Sequence, residues 1–154
     1  MKIILITVGS IKTPYVKQGV FEYLKRLKRY ASFEAKAVKE EPYKPPRPKG
    51  DVLRKEAVSI RKSLAKGDFV VALSDNGKEF SSKEFSGFIE KVFSGGKKRI
   101  VFVIGGAYGL DRDIVEEADL CLSLSRMTLP HELCALVFVE QLYRAFTIIK
   151  GEPY

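Results

Sequence analysis

Cysteine and histidine are scarce in this chain of 154 residues: there are two cysteines, Cys121 and Cys134, and a single histidine, His131. The cysteines lie in apolar stretches without CxxC spacing, which argues against a disulfide framework or a cysteine-built zinc site and fits a reducing cytoplasm. So few nitrogen and sulfur ligands cannot furnish a metal centre of the usual kinds, and no metal is expected. No apolar run approaches ~18 residues, so neither a membrane span nor a membrane partner is expected. The start, Met1-Lys2-Ile3-Ile4-Leu5-Ile6-Thr7-Val8, has one basic residue and no cleavage-like tail, and reads as a first strand rather than a signal peptide. Acidic charge is short in one half only. Residues 1–70 hold 17 Lys and Arg against 7 Asp and Glu, and residues 71–154 hold 10 against 12, so the net +8 resides in the first half. Such asymmetry points to a polyanionic partner, most simply nucleic acid, because each neutralised phosphate releases counterions. The plainer reading is a basic surface that favours solubility.

What is present is a chain 45% hydrophobic and 30% charged, enough apolar material for one sizeable core. Apolar, β-branched runs predict strands at 2–8, 33–38, 69–73, 100–104 and 120–124. Helical spacing falls between them. One helix opens at Thr13-Pro14, with Thr13 as N-cap, and carries Val16, Val20, Tyr23, Leu24 and Leu27. A second, 51–65, repeats Leu53, Ala57, Ile60 and Leu64. A third starts at the capping box Ser81-Ser82-Lys83-Glu84 and runs to about Phe93. A short helix follows Asp111, and the last runs from about Pro130 to Ile149. This alternation predicts an α/β fold, a single domain over 1–154 with a mostly parallel sheet of five to six strands and helices on both faces. The segment 40–50, with four prolines in seven residues, can continue neither helix nor strand and reads as an exposed, mobile basic loop facing RNA. From Leu133 to Val139 every residue is apolar. A helix so apolar has no solvent face over its first two turns, and one sheet covers only one side of it, which predicts a homodimer.

Three strand ends carry the chemistry, since open parallel sheets bind ligands beyond the carboxyl ends of their strands. Leu73-Ser74-Asp75-Asn76-Gly77-Lys78 holds an Asn-Gly pair, read on its own as a hairpin turn. Ile104-Gly105-Gly106-Ala107-Tyr108-Gly109-Leu110 has paired glycines that permit close backbone approach to a ligand. Its GGxxG spacing is not that of dinucleotide-binding loops, and a plain structural turn is as good a reading. Ser123-Leu124-Ser125-Arg126-Met127-Thr128-Leu129-Pro130-His131 leaves a strand and enters the apolar helix. A lone histidine there is more often structural than catalytic. Nothing resembles a Ser/His/Asp set, so the chemistry points to backbone-lined binding rather than a reactive side chain.

In order along the whole chain, these segments resemble one family. They are Lys2-Ile3…Val8-Gly9, Leu73…Gly77-Lys78 with Ser81-Ser82, and Val103-Ile104-Gly105-Gly106…Gly109-Leu110. After them come Leu122-Ser123-Leu124-Ser125…Met127-Thr128-Leu129-Pro130-His131 and Glu140-Gln141-Leu142-Tyr143-Arg144-Ala145. The family is that of ribosomal RNA large subunit methyltransferase H, of the SPOUT (α/β-knot) class. The resemblance implies an S-adenosylmethionine-dependent enzyme that methylates N3 of a pseudouridine in 23S rRNA. It implies a cytoplasmic homodimer working on the assembled 70S ribosome, with no DNA partner. It also implies a C-terminal trefoil knot, which general chain topology would not predict.

Carried over position by position, the cofactor contacts are Leu73, Gly105, Leu124, Ser125, Arg126, Met127, Thr128 and Leu129. Arg144 and the tail Gly151–Tyr154 fall on the substrate side. The family's tail continues with a histidine, whereas this chain stops at Tyr154. His131 and Arg144 are the candidate catalytic residues, His131 as acceptor of the imide proton that must leave N3. Lys25, Arg26, Lys28, Arg29, Arg47 and Tyr154 are the candidate RNA contacts. Two rivals stay open: a non-catalytic RNA-binding protein of the same fold, and a nucleotide-cofactor enzyme of doubly wound type. Binding of S-adenosylmethionine separates all three.

Overall fold

A computed structural model describes residues 1–154. Strands and helices alternate as β1 (Lys2–Val8), α1 (Pro14–Leu27), β2 (Ser32–Val38), α2 (Lys49–Ser63), β3 (Phe69–Glu79), α3 (Ser82–Ser94), β4 (Arg99–Ile104), α4 (Arg112–Glu117), β5 (Leu120–Ser123) and α5 (His131–Lys150). All five strands run parallel in the order β2-β1-β4-β3-β5. The near-continuous apolar strands are explained by layers on both faces. Ile3 and Leu5 point with Phe102, Ile104 and Val71 into a core shared with α1, α3 and α5. Ile4, Ile6 and Val8 point the other way, with Val101 and Val103, onto Ala57 and Ile60 of α2 and Ile114 of α4.

Local signals mostly land where the sequence puts them. Ser81 and Glu84 form the reciprocal capping box, with Ser81 N–H donating to Glu84 Oε2 at 2.7 Å and Glu84 N–H to Ser81 Oγ at 3.2 Å. Gly151, at φ +64°, ends α5, where Glu152 N–H donates to the Thr147 carbonyl at 2.9 Å.

Four expectations change. α2 begins at Lys49, so the proline-rich loop ends at Pro48. That loop is anchored rather than adrift, because Tyr43 packs edge-to-face on Tyr108 with ring centroids 5.3 Å apart. Asn76-Gly77 is not a hairpin turn. β3 continues through Glu79, and Leu73 and Lys78 both pair with Leu122 across a bulge of residues 74–77. A Cβ on Gly77 would lie 2.6 Å from the Leu122 carbonyl carbon, so the glycine is there for close strand approach. Finally, α5 is less bare than its sequence implies. It lies between α1 and α3, with Ala135, Phe138, Val139 and Leu142 fully buried, and exposes a narrow half-buried stripe that includes Leu133 and Val137.

Candidate active site

At the carboxyl edge of the sheet, the ends of β3 and β4 meet two loops, 105–110 and 124–130. They enclose a cavity of about 770 Å³ lined by Leu73, Ser74, Asp75, Gly105, Tyr108, Leu124, Ser125, Met127, Thr128, Leu129, His131 and Cys134, among others. Of the expected cofactor residues, Leu73, Gly105, Leu124, Ser125, Met127, Thr128 and Leu129 thus line one space. Arg126 does not. Its guanidinium turns outward to Glu79, 3.6 Å away, as a weak exposed ion pair.

The loops are shaped by close backbone approaches. A Cβ on Gly105 would run into the Gly109 carbonyl and lie 2.9 Å from Leu110 N. The glycine therefore holds the 105–110 loop shut, and a larger side chain there would collide with that loop before reaching any ligand. The second loop is held at its start by Ser123 Oγ–H, which donates to the Ser125 carbonyl at 3.0 Å. Met127 N–H donates to Ser125 Oγ at the same distance. Beyond it, the N–H and C=O groups of Thr128 and Leu129 have no hydrogen-bond partner in the chain. Polar backbone groups lining a cavity require water or a ligand to satisfy them.

Glu132 fixes where the second loop joins α5, and sequence reading missed it. Its carboxylate accepts from the N–H groups of Lys12 and Thr13, the latter at 3.2 Å, and from Thr13 Oγ1 at 2.5 Å. Thr13 therefore turns its hydroxyl to Glu132, 119 residues away, and does not cap its own helix; Glu132 instead ties the segment leading into α1 to the start of α5. The Thr13 hydroxyl and these N–H groups hold the Glu132 carboxyl below the usual carboxylate range. The readable signal was an acid in the first turn of α5 beside His131. Cys134, also on the cavity wall, is pushed up to about 11 by burial, so its thiol stays protonated and is no nucleophile.

The residues expected on the substrate side lie elsewhere in the subunit. Arg144 and Tyr154 are outside the cavity, and Arg144 sits thirteen positions after His131, about 20 Å along the helix. Arg144 binds Glu140 at 2.6 Å and stacks on Tyr154, whose hydroxyl donates to Glu140 Oε1 at 2.5 Å. Partial desolvation and the hydrogen bond to Glu140 raise the Tyr154 phenol above its ordinary range. At the same end, Lys25, Arg26, Lys28 and Arg29 are exposed. Arg26 lies 5.4 and 5.6 Å from the Tyr23 and Tyr143 rings, and Arg29 is paired with Glu152. Lys25 and Lys28 have no carboxylate within ion-pair distance.

A family model described as "Predicted SPOUT methyltransferase" matches residues 1–154. The chain belongs to the SPOUT methyltransferase family. Among this family's curated proteins, "Ribosomal RNA large subunit methyltransferase H" of Carboxydothermus hydrogenoformans is 43% identical over 157 residues, covering 100% of this chain and 99% of its own. The proteins of the same name from Streptococcus suis and Enterococcus faecalis are each 44% identical at the same coverage. The SPOUT fold is also shared with a crystal structure described as a probable methyltransferase from Bordetella pertussis Tohama I. That structure has a TM-score of 0.57 and 17% identity, over 94% of this chain and 95% of that one. The family is one of enzymes, and the chain is a methyltransferase of this family.

Proposed function

We propose that this chain transfers a methyl group from S-adenosylmethionine to N3 of a pseudouridine in 23S rRNA, acting in the cytoplasm on the assembled 70S ribosome as a homodimer. The observation that carries the reading is the cavity at the carboxyl edge of the sheet. Segments distant in sequence meet there, and Thr128 and Leu129 bring free backbone donors and acceptors suited to the edge of an adenine. Its volume of about 770 Å³ falls within the range of small-molecule sites. The bound cofactor would supply an electrophilic methyl group on a sulfonium, whose sulfur keeps the bonding pair on transfer.

Leu73, Gly105 and the loop Leu124–Leu129 hold that group in place, and a fixed orientation is worth up to ~7–11 kcal/mol of barrier. An imidazole nitrogen of His131, on the cavity wall, takes the proton released from N3. The target base reaches this wall only when splayed out of its helix or loop. A second subunit completes the site. Two copies packed with α5 antiparallel would return the Arg144 and Tyr154 of one to the cavity of the other, and the half-buried Leu133 and Val137 suit such a contact. The trefoil path of the C-terminal segment belongs to the same reading and is supported by the family.

The test is calorimetry with S-adenosylmethionine, followed by transfer of a labelled methyl group to ribosomes lacking the modification and mapping of the labelled nucleotide. One cofactor per subunit and label at a single pseudouridine N3 are expected. Absence of cofactor binding would support a non-catalytic RNA-binding protein, and label at another atom or nucleotide would overturn the substrate assignment.

A further inference from the structure

The proline-rich loop and the glycine loop meet beside the cavity in a cluster that no part of the cofactor site requires. Tyr108 lines the cavity yet keeps 42% of its surface exposed. Tyr43 packs against it edge-on, and Lys49 Nζ lies 4.6 Å from the centre of the Tyr108 ring and 5.7 Å from that of Tyr43. Around them, Lys44, Arg47 and Lys49 form no ion pair. Of the acids nearby, Glu41 pairs with Lys39 and Asp51 with Arg54, while Glu40 is exposed and unpaired beside Gly9. Glu56 is buried. Two tyrosines and three unneutralised cations within reach of a catalytic cavity are out of place on a surface that serves only packing.

From this juxtaposition we infer that Tyr108, Tyr43 and Lys49 form a stacking platform for an unpaired nucleotide of single-stranded RNA. That nucleotide is a neighbour of the one being methylated. Its base lies on the Tyr108 ring, Tyr43 braces the ring from the side, and Lys49 with Lys44 and Arg47 meets the flanking phosphates. An exposed aromatic face accepts any base, and cations beside it make the binding salt-dependent. The inference rests on the rRNA reading above and adds to it the surface that holds the strand next to the target.

Two measurements test it: methylation kinetics on unmodified ribosomes, and fluorescence anisotropy with a labelled RNA strand of about ten nucleotides, which needs no catalysis. Tyr108→Ala should raise KM for ribosomes and weaken strand binding by roughly 5- to 150-fold, the loss of one stacked base. Tyr108→Phe, which keeps the ring, should restore both. Lys49→Ala should reduce the steepness of log K against log salt by about 0.7 and leave S-adenosylmethionine affinity unchanged. Wild-type RNA binding in Tyr108→Ala, or failure of Tyr108→Phe to rescue it, would overturn the platform. So would a Tyr108→Ala loss confined to the cofactor. If wild-type protein binds the strand through Tyr108 but methylates no ribosome, the platform stands and the substrate assignment falls.

Discussion

Replacing Gly105 with alanine asks the 105–110 loop to accept a methyl group where its own backbone already lies. The added Cβ falls roughly 1 Å inside ordinary contact with the Gly109 carbonyl, and backbone cannot swing aside as a side-chain tip can. Moving Gly109 and Leu110 by that amount costs about 1–3 kcal/mol, and losing the Gly109 N–H bond to the Gly106 carbonyl, 3.1 Å long, costs about 1 more. The loop lines the cavity but lies outside the strands of the sheet, so the cost should appear in ligand binding. It predicts S-adenosylmethionine affinity weakened roughly 30- to 1,000-fold. Relaxation through the end of β4 instead would lower the melting temperature by about 2–4 °C per kcal/mol. Gly109→Ala is the control. Its φ of +81° is strained for alanine, but its Cβ meets nothing within 4 Å, which limits the loss to about 1–2 kcal/mol. Calorimetry with S-adenosylmethionine beside thermal unfolding reads both variants. Gly105→Ala with cofactor affinity and melting temperature close to wild type, or Gly109→Ala as the worse of the two, would refute the reasoning.

Val137→Asp, on the half-buried outer stripe of α5, should yield a monomer by sedimentation with weak cofactor binding and no activity. Phe138→Asp should fail to fold, because its ring is fully buried with centroid 4.5 Å from that of Phe102. A Val137→Asp dimer with full activity would dispose of the α5 interface. Glu56 is 5% exposed, and burial raises its carboxyl above the usual range, so the folded state favours the protonated form. Its cost appears as pH climbs past about 4.3 and is complete above the raised folded value. Glu56→Gln, which still accepts from Glu41 N–H, should therefore melt higher than wild type at pH 7, with the gain vanishing toward pH 4. A gain that grows on acidification would reverse the sign. Lys25→Glu with Lys28→Glu should weaken ribosome binding and flatten its salt dependence at constant cofactor affinity, whereas an unchanged slope would make the cluster a solvated face.

The strands were legible because burial on both faces leaves nothing polar in Ile3-Ile4-Leu5-Ile6 or Ile100-Val101-Phe102-Val103-Ile104, and the capping box of α3 because its partners are three residues apart. The cavity was legible only as three separate strand ends, brought together by resemblance. Glu132 escaped notice because its partners, Lys12 and Thr13, are near it only in the fold. Gly77 misled for the same reason: Asn-Gly is a turn signal locally, but the constraint on it comes from the Leu122 backbone. The Tyr43–Tyr108 contact joins two loops that carry no periodicity at all. The distance between His131 and Arg144 was implicit in the length of one helix, yet that Arg144 falls outside the cavity is visible only once the strand ends are brought together.

The strand order has a bearing on how the protein is made. β4, the middle strand, separates β1 from β3 although both precede it in the chain. While residues 1–98 emerge during synthesis, β1 and β3 each hold an apolar edge toward a space that nothing yet fills. Open edges of this kind invite wrong pairing, with each other or with neighbouring nascent chains. About two thirds of the polypeptide must be complete before the centre of the sheet can exist. Its assembly is therefore late and dominated by distant pairings, which slows folding. Chaperone dependence during translation should accordingly fall steeply once Arg99–Ile104 clears the exit tunnel, and end only when α5 has emerged to cover the remaining core face.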